Sequence, residues 1–343
     1  MSRVFIDGIG AVSPAGWGVT ALRAALEKNV PLPIQPVARP GWEKPLFVRS
    51  VPPPAARPAF FAHPRLRRAN AITQFTIAAA LEALGETVSL VQSGAARLGI
   101  IVGMMSGGVN YSRRFYEEVL KDPATASPLI FPETVFNASA SHLAAFLNSN
   151  AICYTLVGDD GTFLQGIALA TQWLADDKVD VCLVIGAEET DWIVADAINL
   201  FHPNSVHSAG AGAILLKKDS SSGAIAELAA VTDSFPFTQR QTRATAACKM
   251  RAQFPPGMKN ELLCTSAQQL PRLDTAESQA WSDWTGVQVA PRAILGEAFL
   301  AATAWQCVAA CDVIRQNKFA SANVSVVGVN QQAIGARFEK PAF

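Results

Sequence analysis

Two adjacent carboxylates, Asp159 and Asp160, occupy a glycine-flanked turn, Gly158-Asp159-Asp160-Gly161, between an apolar run and an apolar helix. Enzymes use such strand-to-helix turns to hold a nucleophile, because a helix N-terminus favours developing negative charge. This turn carries neither Ser nor Cys. Its carboxylates can handle a bound acid, or they can cap the helix, a role worth ~0.3–1 kcal/mol. Thr162 and Gln165 stand at capping-box spacing and mark the helix start. Arg292 and Glu297 precede another apolar helix and are placed to form either an ion pair or a solvated pair. Other chemistry-bearing residue types offer less. Cys264 lies in an apolar strand with no histidine partner, the setting of a core thiol. The six cysteines have no CxxC spacing and sit mostly in apolar sequence, as reduced, inert thiols do. The four histidines are scattered, which argues against a metal site, and His142 and His207 read as structural.

The elements that must position these groups alternate between strand and helix. The run Ile152 to Val157 reads as a buried strand, and Phe163 to Leu174 as a helix apolar on several sides. Val4 to Val12, Leu98 to Gly103, Asp180 to Ala187 and Ala209 to Leu216 are further apolar strands, and Asn323 to Val329 closes the chain as another. Helices are expected at Gly18 to Leu26, Ala69 to Leu84, Ser112 to Leu120, Asn137 to Leu147, Thr275 to Trp284 and Glu297 to Gln316. Lys28 to Pro64 is proline-rich and reads as an irregular excursion, and Asp233 to Met258 has no clear period. Continuous apolar strands mean sheets covered on both faces, so the pattern indicates α/β layers. Helices as apolar as Asn137–Leu147 and Phe163–Leu174 are expected between sheets. The polar stretch Asp219 to Gly223 divides the chain near 222/223.

Half of the 343 residues are hydrophobic, 16% are charged and the net charge is zero, so a large core is expected and nucleic acid is not the expected partner. No apolar run approaches the ~20 residues of a membrane span, and a cytoplasmic location is expected.

The order of segments resembles the β-ketoacyl synthases of the thiolase-like superfamily. VFIDGIGAVSPAGWGV is similar to the family's opening strand and its Ser-Pro turn. RLGIIVGMMSGG, FNASASHLAAFL, VDVCLVIGAEET and SAGAGAILL follow where the family has its next strands and its Asn-Ala-rich helix. LLCTSAQQLPRLDTAESQAW resembles the segment of the first catalytic histidine and shares its Asp-x-x-Glu as Asp274 and Glu277. PRAILGEAFLAATAW resembles the segment of the family's lysine and second histidine, and VSVVGVN its closing glycine-bearing strand. The resemblance implies a five-layered αβαβα fold of two similar halves, 1–222 and 223–343. It also implies dimerisation through the strand before the nucleophile turn, with Ala138, Ile152, Tyr154 and Leu156 at the interface.

Ketosynthase chemistry needs a cysteine thiolate to carry the acyl chain and two imidazoles to stabilise the enolate released with carbon dioxide. By this resemblance Asp160 stands at the cysteine, Ser266 and Glu297 at the two histidines, and Arg292 at the lysine. No histidine follows His207, and no cysteine lies between Cys153 and Cys182. The resemblance is therefore to a non-catalytic partner, a chain-length factor of type II polyketide, aryl polyene or fatty-acid-like synthesis. Such a subunit pairs with an active ketosynthase in an acyltransferase complex, meets an acyl carrier protein, needs no cofactor and shapes the acyl tunnel. Phe136, Phe146 and Phe163 are the tunnel candidates, and Arg65-Leu66-Arg67-Arg68 a candidate carrier-docking run. The alternatives are a carrier-bound malonyl decarboxylase of altered chemistry and an acyl-carrier-binding scaffold.

Overall fold

The computed structural model describes residues 3–218, 223–257 and 260–342. The proposed division at 222/223 and nearly all of its polar stretch lie outside the described residues. Among the described residues no helix is long and apolar enough to cross a membrane.

Among the described residues the main sheet has twelve strands, and its continuous path takes five from each half of the sequence. The first half supplies β1 (Phe5–Ser13), β2 (Leu98–Met104), β3 (Ile152–Val157), β4 (Val181–Glu188) and β5 (Gly210–Lys217). The second supplies β6 (Ala226–Val231), β7 (Glu261–Cys264), β8 (Val287–Val289), β9 (Ser321–Val327) and β10 (Gln332–Glu339). They run in the order β8-β7-β9-β10-β6-β1-β5-β4-β2-β3. From each outer edge inward, both halves place their own third, second, fourth, fifth and first strands. The first three of these are parallel and the last two antiparallel, in both halves. The halves join through a short antiparallel contact, Phe5 to Glu227 and Ile6 to Ala226. This is the thiolase-like arrangement of two similar halves.

Three helical layers flank and separate these sheets. Helices Thr162–Ala175 and Phe299–Arg315 lie in the middle, where Phe163, Ile167, Leu300, Trp305 and Val308 pack with residues from both halves. The approach is close: a Cβ on Gly186 of β4 would stand 2.3 Å from the Leu300 carbonyl oxygen, so only glycine fits there. Ala71–Leu84 and Ala138–Phe146 cover one outer face, and Arg243–Arg251 and Pro271–Ala280 the other. The helix expected between sheets at 137–147 is thus an outer one. Its small side chains fit against Ala71–Leu84, and the other side of it is partly exposed.

The structure corrects three further readings. β3 is an edge strand, with Ile152, Tyr154 and Val157 exposed (Tyr154 at 52%), because among the described residues no further strand pairs with its outer side. Asn323–Val329 does not close the chain: β9 ends at Val327, and a turn leads into β10, which completes the second half. The excursion at 28–64 contains a small sheet of its own, Gln35–Val37 and Leu46–Arg49, joined to His207–Ser208. The cysteines are mostly core thiols, as the sequence indicates: Cys182, Cys264, Cys307 and Cys311 are buried, and Cys153 and Cys248 are exposed.

Candidate functional site

The turn after β3 brings Asp160 to the interface between the halves, and there it meets two residues of the segment before helix Phe299–Arg315. Arg292 Nη1 lies 2.8 Å from Asp160 Oδ2 and 3.1 Å from Glu297 Oε2. All three side chains are at most 2% exposed. Arg292 Nη2 also donates to Thr303 Oγ1 at 3.0 Å and reaches Gln306 Oε1 at 3.5 Å. The pair is therefore a buried triad, not a solvated pair at a helix start. Burial opposes the Arg292 charge, but Asp160 and Glu297 outweigh it and hold its pKa above the ordinary value. Burial pushes Glu297 up to about 7, against the pull of Arg292 and with a further push from Asp160.

Local backbone geometry aims these groups. Pro291 opens a short helix, Pro291–Leu295, and Gly296 ends it at φ 96°, a left-handed conformation that glycine adopts freely. Glu297 is then pinned to the segment beside it, its N–H donating to Val206 O at 2.8 Å and its carbonyl accepting from Ser208 N at 2.7 Å. Phe299 adopts φ 44°, rare for a non-glycine residue, and its N–H donates to Glu297 Oε1 at 2.7 Å. Gln268 donates to the other oxygen of Glu297. A cavity of about 270 Å³ opens beside this group, lined by Arg49, Asn204, Gln268, Arg292, Gly296 and Glu297.

Asp159 Oδ1 reaches only Gly161 N, at 3.3 Å, and Asp160 gives the helix no side-chain cap. The N-cap is Gly161 with no side-chain hydrogen bond, and Gln165 turns away to donate to Gln332 Oε1 at 3.0 Å, so the capping box does not form. The carboxylates instead take amides from the turn after β9. Asp160 Oδ2 accepts from Val329 N at 3.1 Å, and Asp159 Oδ2 from Gln331 N at 2.8 Å. The sequence held no signal for this contact, because 170 residues separate the partners.

Ser266 belongs to a neighbouring network. Its N–H and hydroxyl both donate to the buried Glu277 carboxylate, with Oγ to Oε2 at 2.9 Å, and its oxygen accepts from Val327 N at 3.1 Å. Asp274 accepts from Gln268 N at 3.1 Å and Leu270 N at 2.7 Å. The Asp-x-x-Glu motif therefore holds the 266–270 segment onto helix Pro271–Ala280.

The other candidates are dispersed. Phe163 is buried in the middle layer, Phe146 packs against Phe60 and His63 on an outer face, and Phe136 is exposed beside Gly107. The structure does not gather them around one space in this chain. Ala138 is buried, whereas Ile152 and Tyr154 are exposed, the Tyr154 ring lying edge-on to Trp173 at 5.0 Å, and Leu156 is half-buried. Arg65, Arg67 and Arg68 are exposed around buried Leu66. Burial drives the Cys264 thiol far up, as a core thiol requires. His207 is buried between the carbonyls of Glu297 (3.1 Å) and Glu189 (3.2 Å), and burial lowers its pKa to about 4, so it is neutral. His142 bonds Glu133 at 2.8 Å. Among the described residues no cluster of His, Cys, Asp or Glu could hold a metal ion. Sequence reasoning missed Arg243, hidden in the polar 233–258 stretch, and the buried Glu188 and Glu189, which read only as a strand end.

Three comparisons place this geometry among known proteins. No curated protein sequence matches the chain. The structure is similar to a β-ketoacyl synthase from Burkholderia phymatum STM815, at TM-score 0.81 and 16% identity over 100% of both chains. It is similar to a chain of the complex between a type II polyketide acyl-carrier protein and its hexaketide-bound ketosynthase, at TM-score 0.80 and 17% identity over 99% of both. The ishigamide ketosynthase/chain length factor aligns at TM-score 0.79 and 18% identity, over 98% of this chain and 99% of that one. The sequence profile of the β-ketoacyl synthase N-terminal domain matches residues 1–222. On that match, across more than half its length, the chain belongs to the β-ketoacyl synthase family.

Proposed function

We propose that this chain is a non-catalytic ketosynthase-like subunit, a chain-length factor that pairs with an active β-ketoacyl-carrier-protein synthase. The observation that carries the reading is the buried Asp160–Arg292–Glu297 triad. It fills the position at which the sequence resemblance puts the acyl-accepting cysteine, the second histidine and the lysine. An aspartate cannot form the thioester, and its ion pair with Arg292 leaves no soft nucleophile at the turn. The free edge of β3, with Ile152 and Tyr154 exposed, supports pairing with a ketosynthase through that edge. Arg65, Arg67 and Arg68 suit an acidic acyl carrier protein. Product length would be set where this chain adds Phe163 or its neighbours to the partner's tunnel. Aryl polyene synthesis is the first pathway type to try.

The test is chain extension followed by mass spectrometry. Malonyl-loaded carrier protein is incubated with this chain alone, with a partner ketosynthase encoded beside it, and with both. Extended product only in the mixture, changed in length by Phe163→Ala, supports the reading. Extension or carbon dioxide release by this chain alone, lost in Asp160→Ala, would overturn it in favour of an altered decarboxylase. Carrier binding with no effect on the ketosynthase would make the chain a scaffold.

A further inference from the structure

Among the described residues Arg49 is a buried cation that forms no ion pair, and only 9% of it is exposed. It ends the strand Leu46–Arg49, which runs parallel to His207–Ser208, and His207 bridges in turn to Glu297. The small sheet thus carries a second guanidinium towards the triad. Its Nε donates to Leu32 O at 2.8 Å, and its two Nη groups have no hydrogen-bond partner among the described residues. Burial lowers its pKa, yet a guanidinium stays protonated at neutral pH. A charge so placed is costly to bury unless an anion pairs with it. Arg49 lines the cavity of about 270 Å³ beside the triad, whose walls also include the apolar Val206, Leu270 and Ala293. Arg292, in the same wall, keeps its Nε buried without a partner. Asn204 and Gln269 there hold left-handed backbone, at φ 73° and 64°, a conformation that gathers at ligand sites.

We propose that this cavity binds a free short-chain monocarboxylic acid, its carboxylate paired with the Arg49 guanidinium and its alkyl end against Val206, Leu270 and Ala293. The acid in the wall, Glu297, is already committed: Arg292, Gln268 and the Phe299 amide take its oxygens. Asp160 answers the charge of Arg292 at 2.8 Å. The charge left over is the single positive one of Arg49, which a monoanion balances and a dianion overshoots. A guanidinium presents a planar fork that meets both oxygens of a carboxylate, so the head group is fixed in orientation as well as charge. At about 270 Å³ the cavity is smaller than the sites that hold drug-sized ligands, which suits a chain of a few carbons. The ligand needs no nucleophile, carrier protein or partner subunit. The site therefore stands whether or not the chain is a chain-length factor.

Titration of the full-length chain with butyrate, 1-butanol and inorganic phosphate tests this, each read by the NMR line broadening of the small molecule. Wild type should bind butyrate saturably, bind phosphate more weakly, and leave 1-butanol, which has the chain without the charge, unbound. Arg49→Met should weaken butyrate binding roughly tenfold or more, since the charge-assisted pair is lost. Arg49→Lys, which keeps the charge without the fork, should bind more tightly than Arg49→Met. Ala293→Leu fills the apolar end of the cavity without touching Arg49 and should weaken binding as well, so the answer does not hang on the folding of the Arg49 variants. Circular dichroism checks that each variant is folded. No saturable butyrate binding by wild type, equal affinity in Arg49→Met, unchanged binding in Ala293→Leu, or a preference for phosphate would each overturn the assignment. None of these outcomes bears on the chain-extension assay, so failure of the site and failure of the chain-length-factor reading are told apart.

Discussion

The two parallel strands that flank β2, namely β3 and β4, each bury a pair of neighbouring acids at their ends, and the two sites meet the cost of burial in different ways. After β3, Asp160 shares Arg292 with Glu297, and a full positive charge sits between carboxylates. After β4, Glu188 and Glu189 are held by neutral donors. Glu188 accepts from the amides of Met105 and Ser106 and from the Ser106 hydroxyl, and Glu189 from Asn110 N at 2.9 Å and Ile72 N at 3.2 Å. Burial drives Glu188 up to about 8, far enough that it holds its proton at neutral pH. The first site sets a cation between two carboxylates, and the second leaves Glu188 to hold its proton. Both do the same structural work, because each carboxylate pair fastens a loop that no regular ladder could hold. A buried charge with a cation depends on that cation, whereas a buried acid held by amides depends on pH.

The largest test of this contrast removes the cation. Arg292→Met leaves Asp160 and Glu297 buried without their shared partner and should cost about 3–5 kcal/mol in urea unfolding. Glu188→Gln should cost within about 1 kcal/mol, because the amide reproduces the neutral acid and retains an acceptor. Equal losses would show that the two sites are not held differently.

A second test sharpens the pH side. The folded-state pKa of Glu188 lies above its ordinary 4.5, so its contribution to stability is complete below 4.5 and is lost as pH rises through about 8. The difference in unfolding free energy between wild type and Glu188→Gln should therefore shift against wild type with rising pH. The slope is at most ~1.4 kcal/mol per pH unit, one proton's worth. Urea titrations at pH 5, 6.5 and 8 measure it, and parallel stability curves for the two proteins would refute a protonated Glu188.

These sites also show what a sequence can and cannot disclose. The layers were legible because the strands are continuous apolar runs, and the order of segments carried the fold. Asp160, Arg292, Ser266 and Glu297 stand out from their segments, and three of them meet in the fold. Their contacts could not be read there, because those of Asp160 run to Arg292 and Val329, far along the chain and joined only when the halves close. Local spacing misled at Thr162 and Gln165, where tertiary contacts to Gln332 took the side chain that a capping box would have used. It misled again at β3, whose apolar residues mark an edge and not a covered strand. Arg243 carried no local signal, since its guanidinium is fixed by the carbonyls of a turn over 80 residues away.

Ser266 offers a third test, a hydroxyl that serves a buried acid and an amide at once. Its oxygen accepts from Val327 N while its hydrogen serves Glu277. Ser266→Ala strands the Val327 amide in a buried place and should cost about 1–3 kcal/mol, read by denaturant melts. A loss below the scatter of surface substitutions would mean that water replaces the hydroxyl there.

The smallest effect asks how much the charged site owes to its neutral partners. Thr303 accepts from Arg292 Nη2 at 3.0 Å, and the alternative acceptor, Gln306, stands at 3.5 Å. Thr303→Val keeps the shape of the side chain, so packing in the middle layer is conserved and only the acceptor is lost. If the two carboxylates fix Arg292, the substitution costs about 1 kcal/mol, the net worth of one hydrogen bond. A loss as large as that of Arg292→Met would put the hydroxyl, and not the carboxylates, in control of the guanidinium. The triad would then be held as the Glu188 site is, by neutral groups, and the distinction between the two strand ends would fall.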